Sequence, residues 1–133
     1  MKILCVDDHR SLLEGLVKTV RRASPASEVY SAANVGDALA CAQAKGCDVL
    51  FCEIELYNLG GISLAEQIQT LFPRVNIIFV TVCSENEHAR DVLRLRPSGY
   101  LLKPPSIEQI EKELQNLRHP VREDDEMGRC QSC

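Results

Sequence analysis

The sequence predicts an α/β protein: a five-stranded parallel sheet with helices on both faces. Two observations lead there. Five short apolar runs, at 3–6, 28–32, 48–54, 75–82 and 99–102, alternate with five segments whose apolar residues recur at helical spacing. Three of the runs (Ile3–Val6, Val49-Leu50-Phe51-Cys52 and Ile77-Ile78-Phe79-Val80) are almost continuously apolar, as strands buried on both faces are. A β-α unit repeated five times, with right-handed crossovers, places helices above and below one parallel sheet.

Each element has its own signal. Residues 3–6 are cut off by Asp7-Asp8, too short for a secretory core and about right for a buried strand. The first helix, 10–23, carries Leu12, Leu13, Leu16, Val17 and Val20, with Ser11 and Glu14 spaced as a capping box. After the second strand, Asn34 opens a helix with Asp37 three residues on and Ala38, Leu39 and Ala42 as a small apolar stripe. The third strand leads to a helix marked by Ile62, Ala65, Ile68 and Leu71-Phe72 and stopped by Pro73. Ser84 with Glu87 opens the fourth helix, which carries Val92, Leu93 and Leu95 and stops at Pro97. Ile107, Ile110, Leu114 and Leu117 form one face of a fifth, beginning at Ser106. The apolar period ends at Arg118, so 119–133, with the run Glu123-Asp124-Asp125-Glu126, reads as a disordered tail or the start of a linker.

At 133 residues, 45% of them hydrophobic, the chain can bury a core without disulfides or metal. No apolar run approaches the ~20 residues a membrane span needs. A net charge of −4 speaks against direct nucleic-acid binding by this segment, because phosphate contacts need clustered Lys and Arg. The seven cysteines (Cys5, Cys41, Cys47, Cys52, Cys83, Cys130 and Cys133) are scattered, and together with the lack of a signal peptide they predict reduced thiols and a cytoplasmic protein. Cys130-x-x-Cys133 has metal or redox spacing but no second pair, and it reads as part of the tail.

In an open parallel sheet the ligand site lies at the carboxyl ends of the strands. The first strand ends in Asp7-Asp8 and the third in Glu53, while the fourth runs into Thr81 and the fifth ends in Lys103-Pro104. Three carboxylates, a hydroxyl and an ammonium thus converge on one edge from distant positions. A single acid there could merely cap a helix; the set of five is hard to reach by accident.

These residues resemble the receiver domain of two-component response regulators over 1–118. The match is carried by residues 3–8, by residues 48–54 with Gly61 eight positions after Glu53, by Val80-Thr81-Val82, and by Gly99-Tyr100-Leu101-Leu102-Lys103-Pro104. The resemblance implies a flavodoxin-like strand order 2-1-3-4-5. It implies Mg²⁺ at Asp7, Asp8, the residue at position 53 and the Glu55 backbone carbonyl. Thr81 would sense the phosphoryl group, Lys103 would neutralise its charge, and a histidine kinase would be the donor. Tyr100 falls where the family keeps an aromatic that swings inward, although it also reads as a half-buried strand residue. Arg90, Arg94, Arg96 and Tyr100 lie on the face of the fourth helix, fifth strand and fifth helix, which implies a homodimer or partner surface. His9 reads as the start of the first helix.

The acceptor position departs from the pattern, because Glu53 stands where the family has aspartate, and Leu56-Tyr57 stands where it commonly has Met-Pro. The extra methylene adds about 1.5 Å of reach, and a misplacement near 1 Å can slow transfer about 10²-fold. Phosphorylation-independent signalling is therefore expected, with Glu53 pairing with Lys103 and weakening or replacing Mg²⁺. A degenerate docking or dimerisation scaffold is the alternative. Both leave room for a following output domain, as in a transcriptional regulator. A flavin-binding electron carrier shares the topology but needs a Ser/Thr/Gly-rich phosphate loop where Asp7-Asp8-His9-Arg10 stands. A hydrolase with an aspartate nucleophile shares the acidic strand ends but carries a cap insertion absent here.

Overall fold

Strand and helix alternate through the whole of the computed structural model, which describes residues 1–56, 60–82 and 88–121. The elements are β1 (Lys2–Val6), α1 (Arg10–Ala23), β2 (Glu28–Ala32), α2 (Val35–Lys45), β3 (Val49–Cys52), α3 (Gly60–Leu71), β4 (Asn76–Thr81), α4 (Ala89–Arg94), β5 (Gly99–Leu102) and α5 (Ile107–Gln115). All strand pairings are parallel and the order is β2-β1-β3-β4-β5. The predicted fold class is the observed one. Three strands are a residue or two off their expected spans: β1 begins earlier, while β3 and β4 are shorter at both ends.

Side-chain alternation along the strands divides the core in two. Leu4, Val6, Leu50, Cys52, Ile77 and Phe79 face α2, α3 and α4, meeting Ala38, Ala42, Ile62, Ala65, Ile68 and Val92. Ile3, Cys5, Val49, Phe51, Ile78 and Val80 face the other way, toward Leu13, Leu16, Val17 and Val20 of α1 and Ile110 of α5. The central strands β3 and β4 are buried at every residue, which explains their continuous apolar runs.

Local chemistry sets both ends of α2 and the start of α5. Asn34 caps α2, its side chain accepting from Asp37 N at 2.8 Å, and Gly46, at φ 86, closes it with its N–H on Ala42 O. Ser106 and Gln109 form a reciprocal capping box on α5. The box expected at Ser11 and Glu14 is absent: α1 is preceded by His9 as N-cap, without a side-chain cap bond, because Ser11 already lies inside the helix. The apolar stripes are narrower than expected too. Leu12 and Leu93 are 37% and 69% exposed, each about 100° round its helix from the buried residue beside it, Leu13 or Val92. Leu117 lies beyond the end of α5.

The expected opening of α4 at Ser84 and Glu87 lies outside the described residues, as do Cys83, Tyr57 and the Cys130/Cys133 pair. At the other boundary, the chain after α5 is held. His119 donates its N–H to Asn76 Oδ1 and accepts from Asn76 Nδ2, both at 2.7 Å, while Arg118 N donates to Ser98 Oγ at 2.8 Å. The first residue of the expected tail is thus fastened to the start of β4. Among the described residues no helix is long and apolar enough to cross a membrane.

Candidate functional site at the carboxyl edge of the sheet

The ladder runs one residue past β1, β3 and β5, and those extra residues carry most of the site. Asp7 N donates to Ala32 O (3.3 Å), Glu53 N to Val6 O (3.1 Å) and Lys103 N to Thr81 O (2.8 Å). Backbones that would otherwise be free loop are thereby fixed relative to the sheet. Gly61, at the start of α3, presses on the same edge: a Cβ there would lie 1.8 Å from Glu53 O and 2.7 Å from Ile54 O, so only glycine fits.

Asp7, Glu53 and Thr81 are 2%, 6% and 3% exposed. From the end of β5, Lys103 reaches past β4 to the ends of β3 and β1, its Nζ 2.5 Å from Asp7 Oδ2 and 2.5 Å from Glu53 Oε1. The remaining oxygens of the two acids are taken by backbone: His9 N donates to Asp7 Oδ1 (2.9 Å) and Glu55 N to Glu53 Oε2 (3.0 Å). Burial by itself would lower the Lys103 pKa, but the hydrogen bonds and charges of Asp7 and Glu53 outweigh it and hold the ammonium above the ordinary lysine value. Burial, reinforced by Glu53 and Asp7, pushes the Cys52 thiol up, so it stays a neutral packing group.

The structure sets the five residues named from the sequence in unequal relations to one another. Asp7, Glu53 and Lys103 form a buried, bonded triad. Thr81 joins through its backbone carbonyl and its place at the end of β4. Asp8 stands on the far side of Asp7, with Oδ1 buried and without a hydrogen bond, 3.3 Å from His9 Nδ1. Three carboxylates around one ammonium leave the edge about two charges negative, and an orphaned carboxylate oxygen within it fits a divalent cation, a hard ion that takes oxygen ligands. Among the described residues, Asp7, Asp8 and His9 are the group whose ligand atoms all lie within 4.8 Å of one another. Glu55 is exposed at the rim.

The other predicted residues lie away from this edge. Tyr100 is half-buried on β5, opposite Phe79, and packs against the α2–α3–α4 core. Arg94 pairs with Asp91 at 3.1 Å and Glu66 at 3.7 Å, while Arg90 and Arg96 are exposed. Sequence reasoning missed Asn76, whose signal was a polar side chain opening an apolar strand. It saw His9 only as a helix start.

Comparison with known proteins agrees with this architecture. A family model described as response regulator receiver domain matches residues 3–115. The transcriptional regulatory protein ZraR of Salmonella typhimurium is 28% identical over 124 residues, covering 91% of this chain and 27% of that protein. LytR of Staphylococcus aureus, also named a transcriptional regulatory protein, is 27% identical over 125 residues, covering 94% of this chain and 50% of that one. The chain therefore spans half or less of the length of these curated relatives. Among solved structures, a CheY-like receiver domain protein from Methanospirillum hungatei superposes with a TM-score of 0.76 at 24% identity, over 86% of this chain and 90% of that one. The Vibrio cholerae chemotaxis protein CheY4 gives 0.75 at 27% identity, over 86% and 95%. With five parallel strands in this order, an acidic carboxyl edge, and a family match spanning nearly all the described residues, the chain belongs to the response regulator receiver domain family.

Proposed function

We propose that this receiver signals without accepting a phosphoryl group, with Glu53 standing in for a phosphorylated acceptor. One observation carries the reading: both Glu53 carboxylate oxygens are committed, Oε1 to Lys103 Nζ and Oε2 to Glu55 N. An acceptor must present a free oxygen in line with the donor, and the cation that should meet the phosphoryl group must be free to do so. Here the longer side chain brings its own negative charge to Lys103. The pair resembles in charge what an aspartyl phosphate would place there, which favours one fixed signalling state.

Asp7 and Asp8, with the Glu55 carbonyl, would hold a divalent cation, whose chemistry in such sites is to neutralise phosphoryl charge. Thr81, buried at the end of β4, would supply a hydroxyl to an anion beside Lys103. The proposed partners are a histidine kinase or another signalling protein. The α4–β5–α5 face, with Arg90, Arg94 and Tyr100, would serve a homodimer or an output partner. Leu93 and Leu102, 69% and 44% exposed on that face, favour such use even where the switch itself is lost. The names of the two curated relatives support a role within a transcriptional regulator.

The test is phosphoryl uptake from acetyl phosphate with Mg²⁺, read by intact mass. Wild type should stay unmodified and Glu53→Asp should gain the adduct. Uptake on residue 53 in the wild type would overturn the reading.

A further inference from the structure

At the amino edge of the sheet, opposite the Asp7–Glu53–Lys103 triad, the described chain leaves the domain. Asn76 holds that exit. Its Nδ2 donates to His119 O (2.7 Å) and to Asp48 O (3.2 Å), so the backbone at His119 is tied to the start of β4, beside the residue that precedes β3. Asp48 in turn lines a hollow of about 510 Å³ together with Lys2, Glu28, Lys45 and Phe72. Arg74 lies in the chain between Phe72 and Asn76, and Arg118 immediately precedes His119. Burial, and then the charges of Arg74 and Arg118, hold the His119 imidazole below the ordinary histidine value, so both guanidinium groups stand within electrostatic reach of the exit. The two carboxylates of the hollow are already engaged: Asp48 accepts from Lys2 N at 2.8 Å, and Glu28 accepts from the Tyr30 hydroxyl.

We propose that this edge is the docking surface for the chain's own acidic run, Glu123-Asp124-Asp125-Glu126, with its carboxylates spread over Lys2, Lys45, Arg74 and Arg118. The run itself lies outside the described residues. Its reach follows from the fixed exit. Glu123 comes four residues after His119, a span of up to about 14 Å in extended chain. Lys2 opens β1, two strands over from β4, which is about 10 Å at ordinary strand spacing. The charges match as well. The run is wholly acidic, whereas Lys2, Lys45, Arg74 and Arg118 outnumber Glu28 and Asp48 along this stretch of the edge. Tethering to a fixed point raises the effective concentration of the run to about millimolar or more, so an attraction too weak to hold a free peptide still holds this one. Docking fixes the direction in which the chain continues from the domain, at the end of the sheet remote from the acidic edge.

Amide NMR of the full chain decides it, comparing wild type with the near-isosteric variant E123Q/D124N/D125N/E126Q. Spectra are taken at about 0.01 M and about 1 M salt, between which the screening length falls from ~30 Å to ~3 Å. At low salt the amides of Lys45, Gly46, Asp48 and Arg74 should differ between the two proteins, while those of His9 and Lys103 coincide. At high salt the differences should vanish. The His119 ring should titrate higher in the wild type, because the carboxylates offset Arg74 and Arg118. A second variant, Lys45→Gln with Arg74→Gln, changes only exposed side chains and should move the amide lines of residues 123–126 as high salt does. Coincident spectra at low salt, differences that survive high salt, or the same His119 midpoint in both proteins would each overturn the inference. So would shifts that grow with protein concentration, since these assign the run to a second copy.

Discussion

Lys103 and Asp8 are the two residues at which the charge balance of the acidic edge can be tested. The Lys103 ammonium is 5% exposed and bonded to both Asp7 and Glu53. Replacing it in Lys103→Met leaves buried carboxylates uncompensated, so a loss of about 3 kcal/mol in urea-unfolding stability is expected. Adding a divalent cation should recover part of that loss. The lysine's raised pKa fixes the sign of the pH dependence. Its stabilisation is fully present below the ordinary lysine value of 10.5 and is lost as pH rises through the higher folded value. The wild-type advantage over Lys103→Met should therefore hold at pH 9 and narrow above 10.5. Asp8 is expected to behave in the opposite way. Its Oδ1 is buried without a donor beside another carboxylate, so Asp8→Asn should raise metal-free stability by about 1 kcal/mol and abolish any thermal shift from added cation.

At the scale of elements, function depends on how helices are brought up to strand ends. The N-terminus of α3 lies so close to the backbone after β3 that Gly61→Ala would force a Cβ against Glu53 O, a backbone atom unable to yield. A loss of about 2–3 kcal/mol is expected from such overpacking, together with displaced amide resonances at Glu53 and Glu55. For α5, the Ser106–Gln109 box makes Ser106→Ala worth about 1 kcal/mol by thermal unfolding. The exit from α5 is controlled separately by Asn76, which is 1% exposed and donates to Asp48 O as well as to His119 O. Asn76→Ala should speed amide hydrogen exchange at His119 far more than at α5 itself. Equal acceleration at both would mean that the clasp and the helix open as one unit.

For the molecule as a whole, cover on both faces of the sheet decides what solvent can reach. Cys5 and Cys52 are fully buried in opposite cores, and burial raises both thiols, Cys52 further through Glu53 and Asp7. Cys47 is pushed up to about 12 in the same way. Alkylation of these three at pH 8 should require global unfolding, and mass mapping with and without denaturant checks it. The apolar runs and helical stripes spelled out the architecture because burial on two faces leaves a local signature, as in the fully buried β3 and β4. The same argument put Asp7, Glu53, Thr81 and Lys103 at strand ends. Stripe edges were less legible: Leu12 and Leu93 are apolar but rotated outward, and Ser11-x-x-Glu14 matched a box that the actual start of α1 leaves inside the helix.

By itself, then, the order of residues determined which strands exist, which are central, and which polar groups stand at their carboxyl ends, since short apolar runs and the residues that end them are local features. The Glu53–Lys103 pair was expected from the residues, but tertiary structure alone decided the rest of the pairing within the edge. Lys103 meets Asp7 across 96 positions, and its choice of Asp7 and Glu53 over Asp8 leaves one buried oxygen facing His9. Likewise only the folded chain shows Asn76 gripping His119 across 43 positions. Such contacts depend on the register and twist of neighbouring strands and on side-chain direction at their ends, which no local pattern records.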